Sequence, residues 1–275
     1  MGGLVAGAPA AIVGGLCGLA GGVWMANRRE GRVARRRALL ARPFPATWRR
    51  VLAERYDHYE RLPVELRRRF EADIQIFLAE KRITGVGIEA SEELRLLVAA
   101  SAVTLTLGWP GANWDVLTEV ILYPDDFDRD YAFGGADLAG ETHAWGTVIL
   151  SAPALLESFD YPDDGFHVGL HEFAHLLDME RSEFDGTPTG LPEERRREWA
   201  ALVEAEMRRV REGRSILDDY GANDPVEFFA VAVETFFERP REMRRRHGDL
   251  YALLAEYFVQ DPAAWDDEAC ASTSP

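Results

Sequence analysis

The chain has 275 residues, 47% of them hydrophobic, which is enough for one sizeable domain or two small ones built around a true core. Its net charge of −16 argues against nucleic-acid binding, because a phosphate backbone requires a basic surface. The two cysteines, Cys17 and Cys270, lie at opposite ends of the chain, which argues against a disulfide framework and a thiolate zinc site.

The first part of the chain has the composition of a membrane anchor. Residues 2–27 carry no charged side chain, and about 20 apolar residues suffice to cross a bilayer. The Arg-rich residues 28–43 follow at once and favour a cytoplasmic location for what comes after them. A cleaved signal peptide fits less well, since no basic residue precedes the apolar stretch. We therefore predict a transmembrane anchor over residues 1–27, a basic juxtamembrane linker, and a single-pass protein of the inner (cytoplasmic) membrane with its main domain in the cytoplasm.

Three glycines of this predicted span, Gly14, Gly18 and Gly22, fall four residues apart on one helix face. Small residues at that spacing allow two membrane helices to approach closely, which predicts a homodimer. A Gly- and Ala-rich span of modest hydrophobicity explains the same residues equally well, and both interpretations stay open.

The remainder of the chain alternates between amphipathic and β-branched segments. Periodicity and capping residues predict helices over residues 46–61, 63–81, 91–107, 153–159, 192–212, 224–238 and 241–258. Apolar runs predict strands over residues 83–88, 116–123 and 145–151, and the acidic, Gly-rich residues 125–140 predict a loop. The sum is an α+β domain, mainly helical with a small β-sheet, over residues 44–262, followed by a tail over residues 263–275.

Residues 171–175 have the sequence HEFAH, in which two histidines are separated by one helical turn. On a helix His171 and His175 share a face and can bind one metal ion, while Glu172 beside them can take a proton from a water molecule that the metal activates. This pattern is typical of a zinc peptidase, whose site needs a third protein ligand and one open position. A core helix with hydrogen-bonded histidines is the alternative, but two His and a Glu among apolar neighbours are costly without a function.

A third ligand has to come from outside this helix. Asp178 lies on nearly the same face but too far along the axis, so we expect a structural role for it. Glu227 is the best placed carboxylate, because it lies on an apolar helix that Pro225 opens. Glu234 follows seven residues later on the same helix, and a buried carboxylate needs a metal or an imidazole N–H as its partner. Other carboxylates follow the motif at Glu180, Glu183, Glu198 and Glu204.

Three separated segments, residues 146–151, 171–178 and 220–230, resemble in order the Mlc titration factor A (MtfA) family of zinc peptidases. The resemblance covers about residues 44–262. It implies a gluzincin-like metallopeptidase domain, here preceded by one transmembrane helix. The best-known member of that family binds the glucose repressor Mlc and has aminopeptidase activity, so the resemblance also implies a possible repressor partner.

For the site, the resemblance implies zinc on His171, His175 and Glu227, Glu172 as the general base, and Tyr220 near the metal. A phenol at that place is expected to donate a hydrogen bond to the developing oxyanion. Strand residues 147–150 either hold an extended peptide by edge pairing or form an ordinary core strand.

The sequence therefore predicts a zinc-dependent peptidase that acts on a peptide or protein substrate, and the family resemblance implies aminopeptidase activity. The alternative is a regulatory protein that sequesters a transcriptional repressor or another partner, with proteolysis secondary.

Overall fold

The computed structural model describes residues 30–129, 131–132, 138–180 and 183–265. The chain divides into two units, residues 1–44 and 45–275. In the first unit, residues 30–40 form a helix, α1, in which no side chain is buried. The predicted limits of the main domain, residues 44–262, and of the tail after it stay predictions.

The predicted membrane topology has to be corrected. Within the described ranges, no helix is both long enough and apolar enough to cross a membrane. The longest of the described helices, Glu193–Arg211, is too polar for a bilayer, because charged residues make up more than half of its 19 positions. The fold class that included a transmembrane helix, and the single-pass inner-membrane location that depended on it, are therefore not supported. The span predicted over residues 1–27, with its glycine stripe, lies outside the described residues.

The second unit is mainly helical with a small sheet. Its helices are α2 Ala46–Arg55, α3 Asp57–Arg61, α4 Val64–Glu80, α5 Glu92–Thr106, α6 Ala152–Asp160, α7 Val168–Asp178, α8 Glu193–Arg211, α9 Pro225–Glu238, α10 Pro240–Arg246 and α11 Gly248–Phe258. A 3₁₀ turn, Asp219–Ala222, precedes α9. The strands are β1 Arg82–Gly85, β2 Glu119–Tyr123, β3 Gly140–Thr142, β4 Thr147–Ser151, β5 Met179–Glu180 and β6 Glu183–Phe184.

The four-stranded sheet has the order β1-β2-β4-β3, with β3 at one edge. Strands β1, β2 and β4 run parallel, whereas β3 pairs antiparallel with β4. Every residue of β4 is buried, and β4 has a paired neighbour on each side. Of the two alternatives left open for residues 147–150, the structure therefore supports the ordinary core strand, since no edge of β4 is left to pair with a peptide. Strand β3 was not predicted, because it is short and begins at a glycine, the last residue of a segment predicted as a loop.

Helices α5, α7 and α9 form the centre of the core. Almost all of α5 is buried, and its predicted cap Ser91 accepts a hydrogen bond from the backbone N–H of Leu94 at 3.2 Å. Helix α9 begins at Pro225, with Asp224 as the cap that accepts from two backbone N–H groups. Helix α7 packs against both α5 and α9. This arrangement buries the apolar faces of the motif helix and leaves its histidines beside α9.

The helix predicted over residues 46–61 is broken at Tyr56. This residue has φ −128° and ψ 89°, outside the helical region, and it separates α2 from α3. Its ring is buried and its hydroxyl lies 2.7 Å from the Thr104 hydroxyl on α5. Burial of this aromatic side chain explains why tertiary packing overrides the local helical pattern.

Glu238, the last residue of α9, should make the stability of the protein depend on pH. Its side chain is buried, accepts a hydrogen bond from Gly165 N–H at 3.0 Å, and has a pKa raised to about 9 by burial and by the nearby Glu234 carboxylate. The folded protein therefore holds a proton that the unfolded chain releases near pH 4.5, so stability falls between about pH 5 and 9, by up to about 1.4 kcal/mol per pH unit from this group. Glu238→Gln keeps an acceptor for Gly165 and should melt at a higher temperature than wild type at pH 8. The difference should vanish near pH 5, as thermal unfolding measured at both pH values will show.

The exposed carboxylate Glu65 offers a matched control, since Glu65→Gln should change the melting temperature little at either pH. Equal melting of wild type and Glu238→Gln at pH 8 would contradict the prediction.

Candidate metal centre

Helix α7 provides the platform for the two motif histidines. It begins after His167, whose Nδ1 accepts a hydrogen bond from the backbone N–H of Leu170 at 3.2 Å. Phe173 and Ala174 are fully buried on its core side. His171 and His175 are one turn apart on the opposite side, with ring centroids separated by 4.9 Å. The apolar face therefore fixes which way both imidazoles point.

Helix α9 brings Glu227 to these two imidazoles. Its Oε2 atom lies 3.0 Å from His171 Nε2 and 3.7 Å from His175 Nε2, and the three candidate ligand atoms all lie within 4.8 Å of one another. Tetrahedral zinc with bonds of about 2.0–2.1 Å needs ligand atoms about 3.4 Å apart. The donor set and its spacing therefore fit a tetrahedrally bound metal ion with one position left open.

Glu234 approaches the other ring nitrogen of His171. Its Oε1 atom lies 2.7 Å from His171 Nδ1, and its Oε2 accepts a hydrogen bond from the backbone N–H of His167. With Nδ1–H donating to Glu234, a neutral His171 ring has its lone pair on Nε2, the atom that faces Glu227 and His175. Glu234 is therefore the partner of an imidazole N–H, the second of the two roles that the sequence left open for it.

The electrostatics of the centre favour a cation. Burial opposes a charge on His171, but the carboxylates of Glu234 and Glu227 outweigh it and raise the pKa of this imidazole well above its usual value. Burial lowers the pKa of His175 to about 3, so this ring is neutral, as a metal ligand must be. Its Nδ1 atom is buried and has no hydrogen-bond partner among the described residues. A metal ion bound at His171 Nε2 would take the place of the proton that these carboxylates favour there and would supply the positive charge instead.

Glu172 lies next to the ligand cluster and is only 5% exposed. Burial raises the pKa of its carboxyl to about 7, although the neighbouring His171 and a hydrogen bond from Thr142 act in the opposite direction. A carboxyl with a pKa near neutrality can both accept and return a proton at physiological pH.

The site lies in a cleft with two lobes, of about 440 and 420 Å³. His171 and Glu172 line both lobes. Tyr220 lines both lobes from the 3₁₀ turn before α9; its side chain is 48% exposed and its ring centroid lies 6.0 Å from that of His171. The break expected between Tyr220 and Glu227 is therefore present, and it leaves the phenol free to face the cleft. Other residues of the larger lobe are Asp126, Phe166, Val168, Asp218 and Val231, and of the smaller lobe Arg129, Glu141, Phe184 and Val226.

Asp178 does not join the ligand cluster. It is fully buried, and its Oδ2 atom accepts a hydrogen bond from the backbone N–H of Gly186 at 3.0 Å. Gly186 has φ +73° and lies so close to the Pro225 carbonyl that a Cβ atom would approach the oxygen to 2.2 Å. Asp178 therefore ties the end of α7 to the start of α9, the structural role expected for it. Three of the remaining carboxylates, Glu183, Glu198 and Glu204, are exposed.

Two residues that contact Glu172 received no role from the sequence. Gly140 and Thr142 lie on β3, a strand too short for its alternation to be read. If residues 140–142 are extended, Gly140 and Thr142 share one face and Glu141 lies on the other. This spacing is the one feature of the sequence that could have placed both residues beside Glu172. The spacing can be used only once the segment is known to be a strand, and the sequence predicted a loop up to residue 140.

Comparison with known proteins identifies the family. The profile of the family described as glucose-regulated metallo-peptidase M90 matches residues 30–259. An uncharacterized protein of Synechocystis sp. is 32% identical over 248 residues, covering 83% of this chain and 89% of that protein. Proteins named Mlc titration factor A from Edwardsiella ictaluri and Yersinia enterocolitica are 31% and 29% identical over 225 and 219 residues. These alignments cover 75% and 70% of this chain, and 82% and 79% of the relatives.

A metallopeptidase family implies a bound metal ion, and the cluster of His171, His175 and Glu227 is a possible place for it. The profile match spans well over half of the chain, and the sequence identities agree with it. Both findings confirm the resemblance recognised in the sequence: the chain belongs to the M90 family of glucose-regulated metallo-peptidases, alongside relatives named Mlc titration factor A.

Proposed function

We propose that this protein is a zinc-dependent peptidase whose active site is the two-lobed cleft on α7 and α9. The observation that carries the proposal is the convergence of His171 Nε2, His175 Nε2 and Glu227 Oε2 within 4.8 Å, with the buried Glu172 carboxyl beside them. Two imidazoles and one carboxylate are a ligand set of catalytic zinc in peptidases, whereas structural zinc sites use four protein ligands.

In this proposal zinc, when bound, supplies Lewis acidity that polarises the scissile carbonyl and lowers the pKa of a water molecule towards about 7. Glu172 accepts a proton from the attacking water and passes it to the leaving amine. Its pKa of about 7 suits both steps, because neither the protonated nor the ionised form is strongly disfavoured near neutral pH. His171 is kept in one tautomer by Glu234, so its Nε2 lone pair stays available for the metal.

Tyr220 is the candidate donor to the oxyanion that develops on the substrate carbonyl. It lines both lobes of the cleft and lies beside His171. Burial and the neighbouring carboxylate charges raise the pKa of its phenol, which keeps the hydroxyl protonated and able to donate. Such a donor contributes when it is aimed at the place where negative charge forms.

The substrate in this proposal is an extended peptide that pairs with β3. This strand is an edge of the sheet, and its residues Gly140 and Thr142 line the cleft beside Glu172. Pairing with a sheet edge is a common way to hold a peptide backbone. Aminopeptidase activity, which the family resemblance implies, is tested by comparing peptides with free and acetylated N-termini.

A second function is favoured by the name of the relatives, Mlc titration factor A, which points to the binding of Mlc. In that case the protein sequesters a repressor or another partner, and proteolysis is secondary. The two functions differ in what they need from Glu172, because partner binding does not require a general base.

Glu172→Gln separates the two functions. The amide retains the size of the carboxyl but cannot accept the proton, so we expect peptide hydrolysis to fall by at least about a hundredfold while zinc content stays at one equivalent. Partner capture from lysate by this variant and by wild type should be equal. Undiminished hydrolysis by Glu172→Gln would overturn the assignment of the base, and chelator-insensitive hydrolysis by wild type would overturn the zinc mechanism.

A matched pair of substitutions on α9 tests the third ligand. Glu227→Gln removes a proposed ligand and should weaken zinc binding by more than about a hundredfold. Glu234→Gln keeps an acceptor for His171 Nδ1–H, so it should weaken zinc binding by no more than about ten- to a hundredfold. Zinc affinity is measured by competition with a chromogenic chelator. The opposite ranking of the two variants would show that Glu227 is not the ligand.

Tyr220→Phe removes only the phenolic hydroxyl. We expect zinc binding as in wild type, and kcat lower by roughly ten- to a thousandfold, because one oxyanion donor is lost. Steady-state kinetics on a chromogenic peptide and metal analysis measure both quantities. Wild-type kcat in this variant would remove Tyr220 from the mechanism.

A further inference from the structure

Two residues on one face of the edge strand β3, Thr142 and Gly140, contact Glu172. Thr142 Oγ1 lies 2.7 Å from Glu172 Oε2 and 2.9 Å from the backbone carbonyl oxygen of the same residue. Its hydroxyl proton is donated to either of these two acceptors. Gly140, two residues earlier and therefore on the same face of the strand, lies against the other part of the carboxyl group.

The contact at Gly140 depends on the absence of a side chain. A Cβ atom at this position would lie 2.6 Å from both Cγ and Oε1 of Glu172, and 2.8 Å from Cδ. These separations are well below van der Waals contact, so any other residue would push the carboxyl group away. Glycine is needed here for space and not for its backbone freedom, because the position lies in a regular antiparallel ladder opposite Leu150.

We propose that β3 positions the general base, with Thr142 and Gly140 as positioning residues. This inference rests on the proposed function. The Thr142 hydroxyl holds Oε2, and Gly140 leaves the space that Oε1 occupies, so Oε1 is the atom that accepts the proton. An unrestrained glutamate side chain has several rotamers. Holding it in one rotamer removes the loss of conformational entropy that would otherwise add to the activation barrier.

The position of Thr142 is itself rigid. It pairs with Val148 in the ladder between β3 and β4, and β4 is buried across its whole length. The hydroxyl therefore approaches Glu172 from a strand that is part of the core sheet. The same sheet edge that is proposed to hold the peptide backbone also holds the base, which fixes the distance between them.

Thr142→Val tests the inference, because valine has the shape of threonine without the hydroxyl. We expect kcat to fall by about ten- to a hundredfold, as for the loss of a hydrogen bond to a charged group, with KM within about twofold. Zinc content should match wild type, and thermal unfolding should show that the variant is fully folded at the assay temperature. Thr142→Ser, which keeps the hydroxyl, should restore most of kcat, and Thr84→Val on the opposite edge strand β1 serves as the control.

A double-mutant cycle separates positioning of the base from a purely structural effect. In the Glu172→Gln background, Thr142→Val should lower the residual rate little further, because the group that it positions has already lost its function. Crystal structures of the metal-free proteins give a readout without activity: the Glu172 side chain should occupy one rotamer in wild type, whereas in Thr142→Val it should move away from position 142.

The outcomes distinguish this inference from the proposed function. Absence of peptide hydrolysis by zinc-loaded wild type would overturn the proposed function. Wild-type kcat in Thr142→Val, or equal impairment of Thr142→Ser and Thr142→Val, would overturn the positioning role while leaving the peptidase proposal intact. Gly140→Ala provides a second variant, since it should displace the Glu172 carboxyl and lower kcat without loss of zinc.

Discussion

The hydrogen bond between His171 and Glu234 is the interaction on which the geometry of the centre depends. A carboxylate as deeply buried as Glu234 is costly unless charged or polar partners surround it, and its two oxygens are bonded to His171 on α7 and to the backbone N–H of His167, the cap just before α7. These bonds fix the rotation of α7 against α9 and the orientation of one imidazole. They therefore also decide where Glu227, two turns earlier on α9, meets the Nε2 atoms of both histidines.

The negative charge gathered around α7 has a second consequence. Glu172, Glu227 and Glu234 lie close together in a site where burial raises the pKa of two of them. Such a cluster is stabilised by a cation, so binding of a metal ion and folding of the centre are expected to support each other. A structure with this much buried acid is more compatible with a resident metal ion than with a purely structural core.

The centre is held from three directions by rigid elements. Helix α9 supplies Glu227 and Glu234, the sheet edge contacts Glu172, and Asp178 fastens the end of α7 through Gly186 to the start of α9. Catalytic groups need to stay within a fraction of an ångström of their working geometry, and helices and strands achieve this better than loops. Tyr220, on a short 3₁₀ turn at the rim of the cleft, is the exception among the candidate residues.

The sequence by itself determined the features that depend on neighbours along the chain. Helical periodicity placed His171 and His175 on one face, and Ser91 as a cap and Pro225 as a first helical residue marked helix starts that the structure reproduces. Only the tertiary structure decided which carboxylate of α9 faces which nitrogen, because this depends on how two helices pack far apart in sequence. It also decided that β3, and not β4, is the sheet edge, since strand order is set by pairing between distant segments and three residues are too few to show a strand's alternation.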